Sequence, residues 1–140
     1  MAAFPTTCPS DNLPPIAVAT CHRGFQIYIP GLWEELQACF DMIPATTDDT
    51  CGANATTNTQ TCLTQMYNSA CANADADKAC NDQNTACTNN GEVFDVATCK
   101  QDLVPFSTAG LNQYIDCLNT HTADPCAGLH DTCIGVVQSF

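Results

Sequence analysis

The sequence predicts an all-α, disulfide-rich bundle built from two related halves, and three observations carry that prediction. Twelve of its 140 residues are cysteine, an even number spread along the chain, which is the pattern of a disulfide framework. Apolar residues recur at helical spacing in several stretches. The cysteine spacing of the first half is nearly repeated in the second. An irregular disulfide-rich fold with short strands is the alternative, weakened by scarce Val and Ile and by few two-residue hairpin turns.

The cysteines are Cys8, Cys21, Cys39, Cys51, Cys62, Cys71, Cys80, Cys87, Cys99, Cys117, Cys126 and Cys133. The smallest gap is seven residues, so there is no C-x-x-C pair of the kind that zinc sites and thioredoxin-type redox sites take from a tight turn. All twelve are therefore expected in six bridges, and an oxidising compartment follows, since such a set is reduced or mispaired in a cytosol. The opening Met1-Ala2-Ala3-Phe4-Pro5 has no basic stretch followed by an apolar one, which fits the mature form of a secreted protein.

Two spacings of 18 positions, Cys21 to Cys39 and Cys99 to Cys117, set the halves in register. Cys8 precedes the first by 13 and Cys87 the second by 12, while Cys51 and Cys62 follow the one and Cys126 and Cys133 the other. Phe25 and Tyr28 match Leu103 and Phe106 at the same offsets from Cys21 and Cys99. Duplication accounts for these agreements together. Cys71 and Cys80 remain over, expected to bridge to each other or to tie the halves together.

Taken in chain order, residues 16–28 are ambiguous between a helix carrying Cys21, Phe25 and Tyr28 and an extended run Phe25-x-Ile27-x-Ile29. Leu32, Leu36, Cys39, Phe40 and Ile43 lie on one face of a helix that Pro30 precedes and Pro44 stops, with Glu34 and Glu35 expected in its first turn. A helix near 58–72 is suggested by Cys62, Leu63, Met66 and Ala70, and one within 92–104 by Phe94, Ala97 and Val104. Leu111, Tyr114, Ile115 and Leu118 repeat the helical period, with Thr108 as a candidate cap and Pro125 beyond the end. Leu129, Cys133, Val136 and Val137 suggest a terminal helix. Polar connections are expected at 44–57, 73–92 and 119–126. The halves so drawn are 1–72 and 93–140, joined by the 73–92 connection pinned by Cys80 and Cys87, with Cys87 assigned to the second half, and the whole expected to form one compact unit.

Charge excludes several functions. Fifteen acidic residues face three basic ones, a net −12, which repels a phosphate backbone and makes nucleic-acid binding unfavourable. Three dispersed cations form no polybasic membrane patch, and no apolar run approaches a membrane span. No cofactor is expected. The histidines (His22, His121 and His130) read as surface residues of polar loops, and the serines (Ser10, Ser69, Ser107 and Ser139) sit in no nucleophile motif. His121, Asp124 and Ser107 are near in sequence without forming a recognisable triad. Adjacent acids such as Glu34/Glu35 and Asp48/Asp49 suit a solvated edge better than a glycosidase cleft. The expectation is a protein without catalytic residues.

Binding candidates are few. Phe25 to Trp33 is the richest apolar run; Phe25, Tyr28 and Trp33 are candidates for an interface or pocket, with burial in the core as the competing reading and Trp33 as the least constrained member. Asn54-Ala55-Thr56 is a glycosylation sequon. Asp75, Asp77 and Asp82 offer hard oxygens to Ca²⁺ but lack the rest of a calcium loop, so no metal site is assigned. These features favour a secreted, disulfide-stabilised recognition protein of the signal, pheromone, toxin or effector type, partnered by an extracellular receptor or by copies of itself and without membrane insertion. A self-assembling matrix or fibre protein and a carrier of a small apolar ligand are the alternatives.

Overall fold

A computed structural model of the chain describes residues 4–10, 13–121 and 126–138. The predicted class holds: eight helices fill most of the described residues, and the only β pairing among them is one isolated bridge. The helices are α1 (Ile16–Ile27), α2 (Pro30–Asp41), α3 (Thr47–Thr50), α4 (Ala55–Ser69), α5 (Ala74–Asn89), α6 (Val96–Leu103), α7 (Thr108–Thr120) and α8 (Leu129–Gln138). The described residues divide into two compact units. The first takes in the described residues up to Phe25 together with Pro30–Ser69; the second takes in Gln26–Ile29 and the described residues from Ala70 to Gln138.

In the first unit α2 packs on α4. Proline at the first position of α2 suits a helix start, because its fixed φ is helical and its missing N–H would have no partner there. Trp33, Leu36, Cys39 and Phe40 form the inner face of α2, and Thr59, Cys62 and Met66 that of α4. Trp33 is thus in the core while Leu32 is half-buried, the reverse of the constraint expected of the pair. Glu34 and Glu35 fall in the second turn of α2, beyond the expected first. Glu35 accepts a hydrogen bond from the Ser69 hydroxyl of α4 at 2.7 Å. The short α3 is capped by Thr46, whose hydroxyl oxygen accepts from the Asp49 amide.

In the second unit α5 packs on α6 and α7, and α7 on α8. Residues 73–92, expected as a polar connection, are largely the 16-residue helix α5. Its inward stripe is Ala76, Ala79, Cys80 and Cys87, residues too small to raise an apolar signal against the Asp, Asn and Thr of the outer face. Asn73 caps it, accepting from the Ala76 amide, and its side-chain amide donates to the carbonyls of Val104 and Phe106. Gly91, at φ +77°, ends it in the left-handed conformation that glycine adopts without strain. The cap of α7 is Ser107 rather than Thr108, with its hydroxyl accepting from the Gly110 amide.

The 16–28 ambiguity resolves into both forms. Helix α1 runs to Ile27, and Tyr28 then pairs antiparallel with Phe106. Ile29 N–H donates to Pro105 O at 2.9 Å and Ser107 N–H to Ile27 O at 2.7 Å. Tyr28 and Phe106, which share the same offset from Cys21 and Cys99, pack against each other with their rings 5.6 Å apart.

Candidate functional site

Ten cysteines form five bridges. Cys8–Cys51 and Cys39–Cys62 lie in the first unit; Cys80–Cys99, Cys87–Cys126 and Cys117–Cys133 lie in the second. The repeated spacing equates Cys8–Cys51 with Cys87–Cys126 and Cys39–Cys62 with Cys117–Cys133, so two bridges recur with the same connectivity. The expected sixth bridge is not formed: Cys21, half-buried on α1, and Cys71, exposed before α5, are free thiols. Nor do Cys71 and Cys80 pair. Cys80 lies seven residues past the cap of α5, roughly 10 Å up the helix axis at 1.5 Å per residue and beyond the usual reach of a bridge; its partner is Cys99 on α6.

The aromatic run divides between core and surface. Tyr28 and Trp33 are buried, at 3% and 8% exposure, whereas Phe25 is 74% exposed. Leu13 and Met42 are also largely exposed in the first unit. Burial and the neighbouring carboxylate of Asp41 hold the Cys21 thiol above its ordinary range, so it is protonated at neutral pH.

The second unit contains a buried polar chain. His130 is only 8% exposed, which corrects its assignment to the surface. Its Nε2 lies 2.9 Å from Asp102 Oδ2, and its Nδ1 lies 2.9 Å from the Tyr114 hydroxyl. With Asp102 ionised, Nε2 carries the hydrogen and Nδ1 accepts from the phenol. Phe94 meets the imidazole edge-on. Both ring nitrogens are thus engaged inside the unit. His121 and Ser107, considered with Asp124, stand at opposite ends of α7, and Asp124 lies outside the described residues.

Burial is the main cause, and Asp102 a lesser one, that lifts the Tyr114 phenol well above its usual range. Because the folded value is the raised one, this stabilisation is complete below the unfolded value near 10 and is lost as pH climbs past it, by up to about 1.4 kcal/mol per pH unit. Denaturation followed between pH 9 and 11 should show that slope, and Tyr114→Phe should flatten it. At pH 7 the same substitution should cost about 1–3 kcal/mol, because it leaves His130 Nδ1 buried without a donor.

Beside this chain lies a cavity of about 460 Å³. Phe94, Thr98 and His130 line it with the acids Asp95 and Asp131, and neither lysine nor arginine is among its described lining residues. Asp95 is committed as the cap of α6: it accepts from the Thr98 amide and hydroxyl, and these bonds hold its carboxyl below the ordinary value. A shallower trough of about 520 Å³ runs along α4, lined by neutral side chains including Thr57, Thr61, Gln65 and Asn68.

The remaining candidates are placed separately. Asp75, Asp77 and Asp82 are exposed on α5, where Asp77 pairs with Lys100 and Asp82 with Lys78. Spacings of two, five and seven residues along one helix set these carboxylates on different faces or two turns apart, so they do not converge on one ion. Asn54 is exposed, its amide donating to Asp49 Oδ1 at 3.1 Å. Cys117, His121 and Cys133 bring three potential ligand atoms within 4.8 Å of one another, but the two sulfurs are joined in a bridge and offer no thiolate. No helix among the described residues is long and apolar enough to cross a membrane. No family model, curated protein or solved structure matches the chain.

Proposed function

We propose that this is a secreted, non-enzymatic recognition protein whose stapled helices present an apolar surface to an extracellular partner. The observation that carries this reading is Phe25: a large aromatic side chain held at 74% exposure on a helix, in a run whose other aromatic members are buried. Such a side chain gains little in the free protein and much in a fitted pocket, which is how aromatic anchors dominate interfaces. Five disulfides support an oxidising, extracellular setting. The recurrence of two bridges supports descent from one duplicated helical unit. The closed hydrogen bonding of His130 supports a structural role for the most enzyme-like residues.

Native mass by light scattering on secreted, never-reduced protein tests the reading. A small monodisperse species is expected, with two thiols per chain by titration; open-ended particles would instead establish a matrix or fibre protein. Phe25→Ser should leave the melting temperature within about 2 °C, as exposed substitutions do. The same variant should lose binding to the surface of responsive cells, measured with labelled protein. Unchanged binding would remove Phe25 from the interface.

A further inference from the structure

The cavity beside the Tyr114–His130–Asp102 chain lies wholly within the second unit. Its volume of about 460 Å³ is that of a small-molecule site, and its walls are fixed from several directions. The His130 ring is held through both nitrogens and meets Phe94 edge-on, with ring centres 6.1 Å apart. Asp95 is held by the amide and hydroxyl of Thr98. Cys126, where the chain enters α8, is tied to α5 by its bridge to Cys87 and to Glu92 through its amide. A cavity built in this way is formed before any ligand arrives, and little ordering opposes binding.

Charge and polarity together select what fits. Asp95 and Asp131 line the cavity. The hydrogen bonds from Thr98 keep the Asp95 carboxyl ionised, and no hydrogen bond or ion pair among the described residues engages Asp131. Both lysines of the unit are committed elsewhere, Lys78 to Asp82 and Lys100 to Asp77. The negative charge at the cavity is therefore left to a cation from outside, within a chain whose net charge of −12 repels anions. The rest of the lining is apolar or aromatic. Phe94 and Ala127 contribute to it, and so does Val93, which is 88% exposed. Such a wall offers no oxygens to a bare metal ion, which needs six or more, but it suits the hydrocarbon part of an organic cation.

We propose that this cavity binds a small organic ammonium, a protonated primary amine carrying an aromatic or short alkyl body. Its N–H groups donate to the Asp131 and Asp95 carboxylates, and its body packs on Val93 and Phe94. The proposal goes beyond the recognition reading and does not depend on it, since Phe25 lies in the other unit.

The test uses the full oxidised chain, isotopically labelled, with 2-phenylethylammonium as the probe and the neutral 2-phenylethanol as its isostere. Amide resonances of residues 93–98 and 127–131 are followed during titration. Saturable shifts are expected there for the ammonium, with a dissociation constant on the order of 1 mM or below. The alcohol should bind at least about tenfold more weakly, because it lacks the charge-assisted bonds. Asp95→Asn with Asp131→Asn should bring the ammonium down to the affinity of the alcohol. Asparagine at 95 still caps α6 and Asp131 is exposed, so the fold should persist. Salt supplies a measurement that needs no variant: in about 0.5 M NaCl the preference for the ammonium should shrink severalfold in the parent protein. Equal affinity for the two probes, or no saturable shift at these residues up to about 10 mM ammonium, would overturn the proposal. Either of those results would leave the Phe25 surface and its own binding test untouched.

Discussion

Gly110→Ala should lower the stability of the protein by about 3 kcal/mol, the upper range for forcing atoms into a packed site. A Cβ at Gly110 would lie 2.4 Å from the carbonyl oxygen of Ile27 and 3.2 Å from its Cα and carbonyl carbon. These are backbone atoms, and the same carbonyl accepts the Ser107 N–H at 2.7 Å beside the Tyr28–Phe106 bridge. Relief therefore requires α7 to withdraw from that pairing or the pairing to break. Gly31, on α2, supplies the control with the opposite sign. Nothing lies within 4 Å of a Cβ there, so Gly31→Ala should stabilise by up to about 1 kcal/mol through helix propensity alone. Urea denaturation of both variants decides the matter, and a Gly110→Ala protein as stable as the parent would show that the close approach to Ile27 is not retained in solution.

Removing the Cys87–Cys126 bridge, with both residues changed to serine, should cost about 4 kcal/mol in the chain-entropy model. The estimate follows from its sequence separation of 39, which makes it a long-range constraint on the unfolded chain. The bridge also holds the approach to α8, where the Cys126 amide donates to the Glu92 carboxylate at 2.7 Å. A single Cys126→Ser variant is a poorer probe, because it releases a Cys87 thiol able to exchange with the other bridges. Thermal unfolding of the double variant should begin well below that of the parent. If the loss stays under about 1 kcal/mol, the folded unit is held at this point by packing alone.

What could be read from the sequence depended on side-chain size. Leu36, Cys39 and Phe40 on α2, and Leu111, Tyr114 and Leu118 on α7, are large apolar groups at helical spacing, and both helices follow from them. Helix α5 was hidden because its inner stripe is alanine and half-cystine. Phe25 could be named but not placed: whether it faces core or water depends on how α1 is rolled, and both its faces carry groups fit for burial. The buried histidine was missed because Asp102 and Tyr114 lie 28 and 16 residues away. A signal did exist. His130, Cys133 and Val137 follow i, i+3, i+7, which puts the imidazole on the inward stripe of α8.

The bridges also carry a consequence for biosynthesis. Cys8–Cys51 overlaps Cys39–Cys62, and in the second unit Cys80–Cys99, Cys87–Cys126 and Cys117–Cys133 interleave in the same way. A chain oxidised in order of emergence would join Cys8 to Cys21 and Cys39 to Cys51, and neither is a native pair. Correct pairing therefore waits until distant cysteines have been made, and early pairs must be broken and exchanged. Because every bridge closes within one unit, that exchange can finish for the first unit while the second is still being translated. Production should accordingly be limited by the supply of disulfide isomerase rather than of oxidant, and faster oxidation alone should raise the yield of scrambled protein.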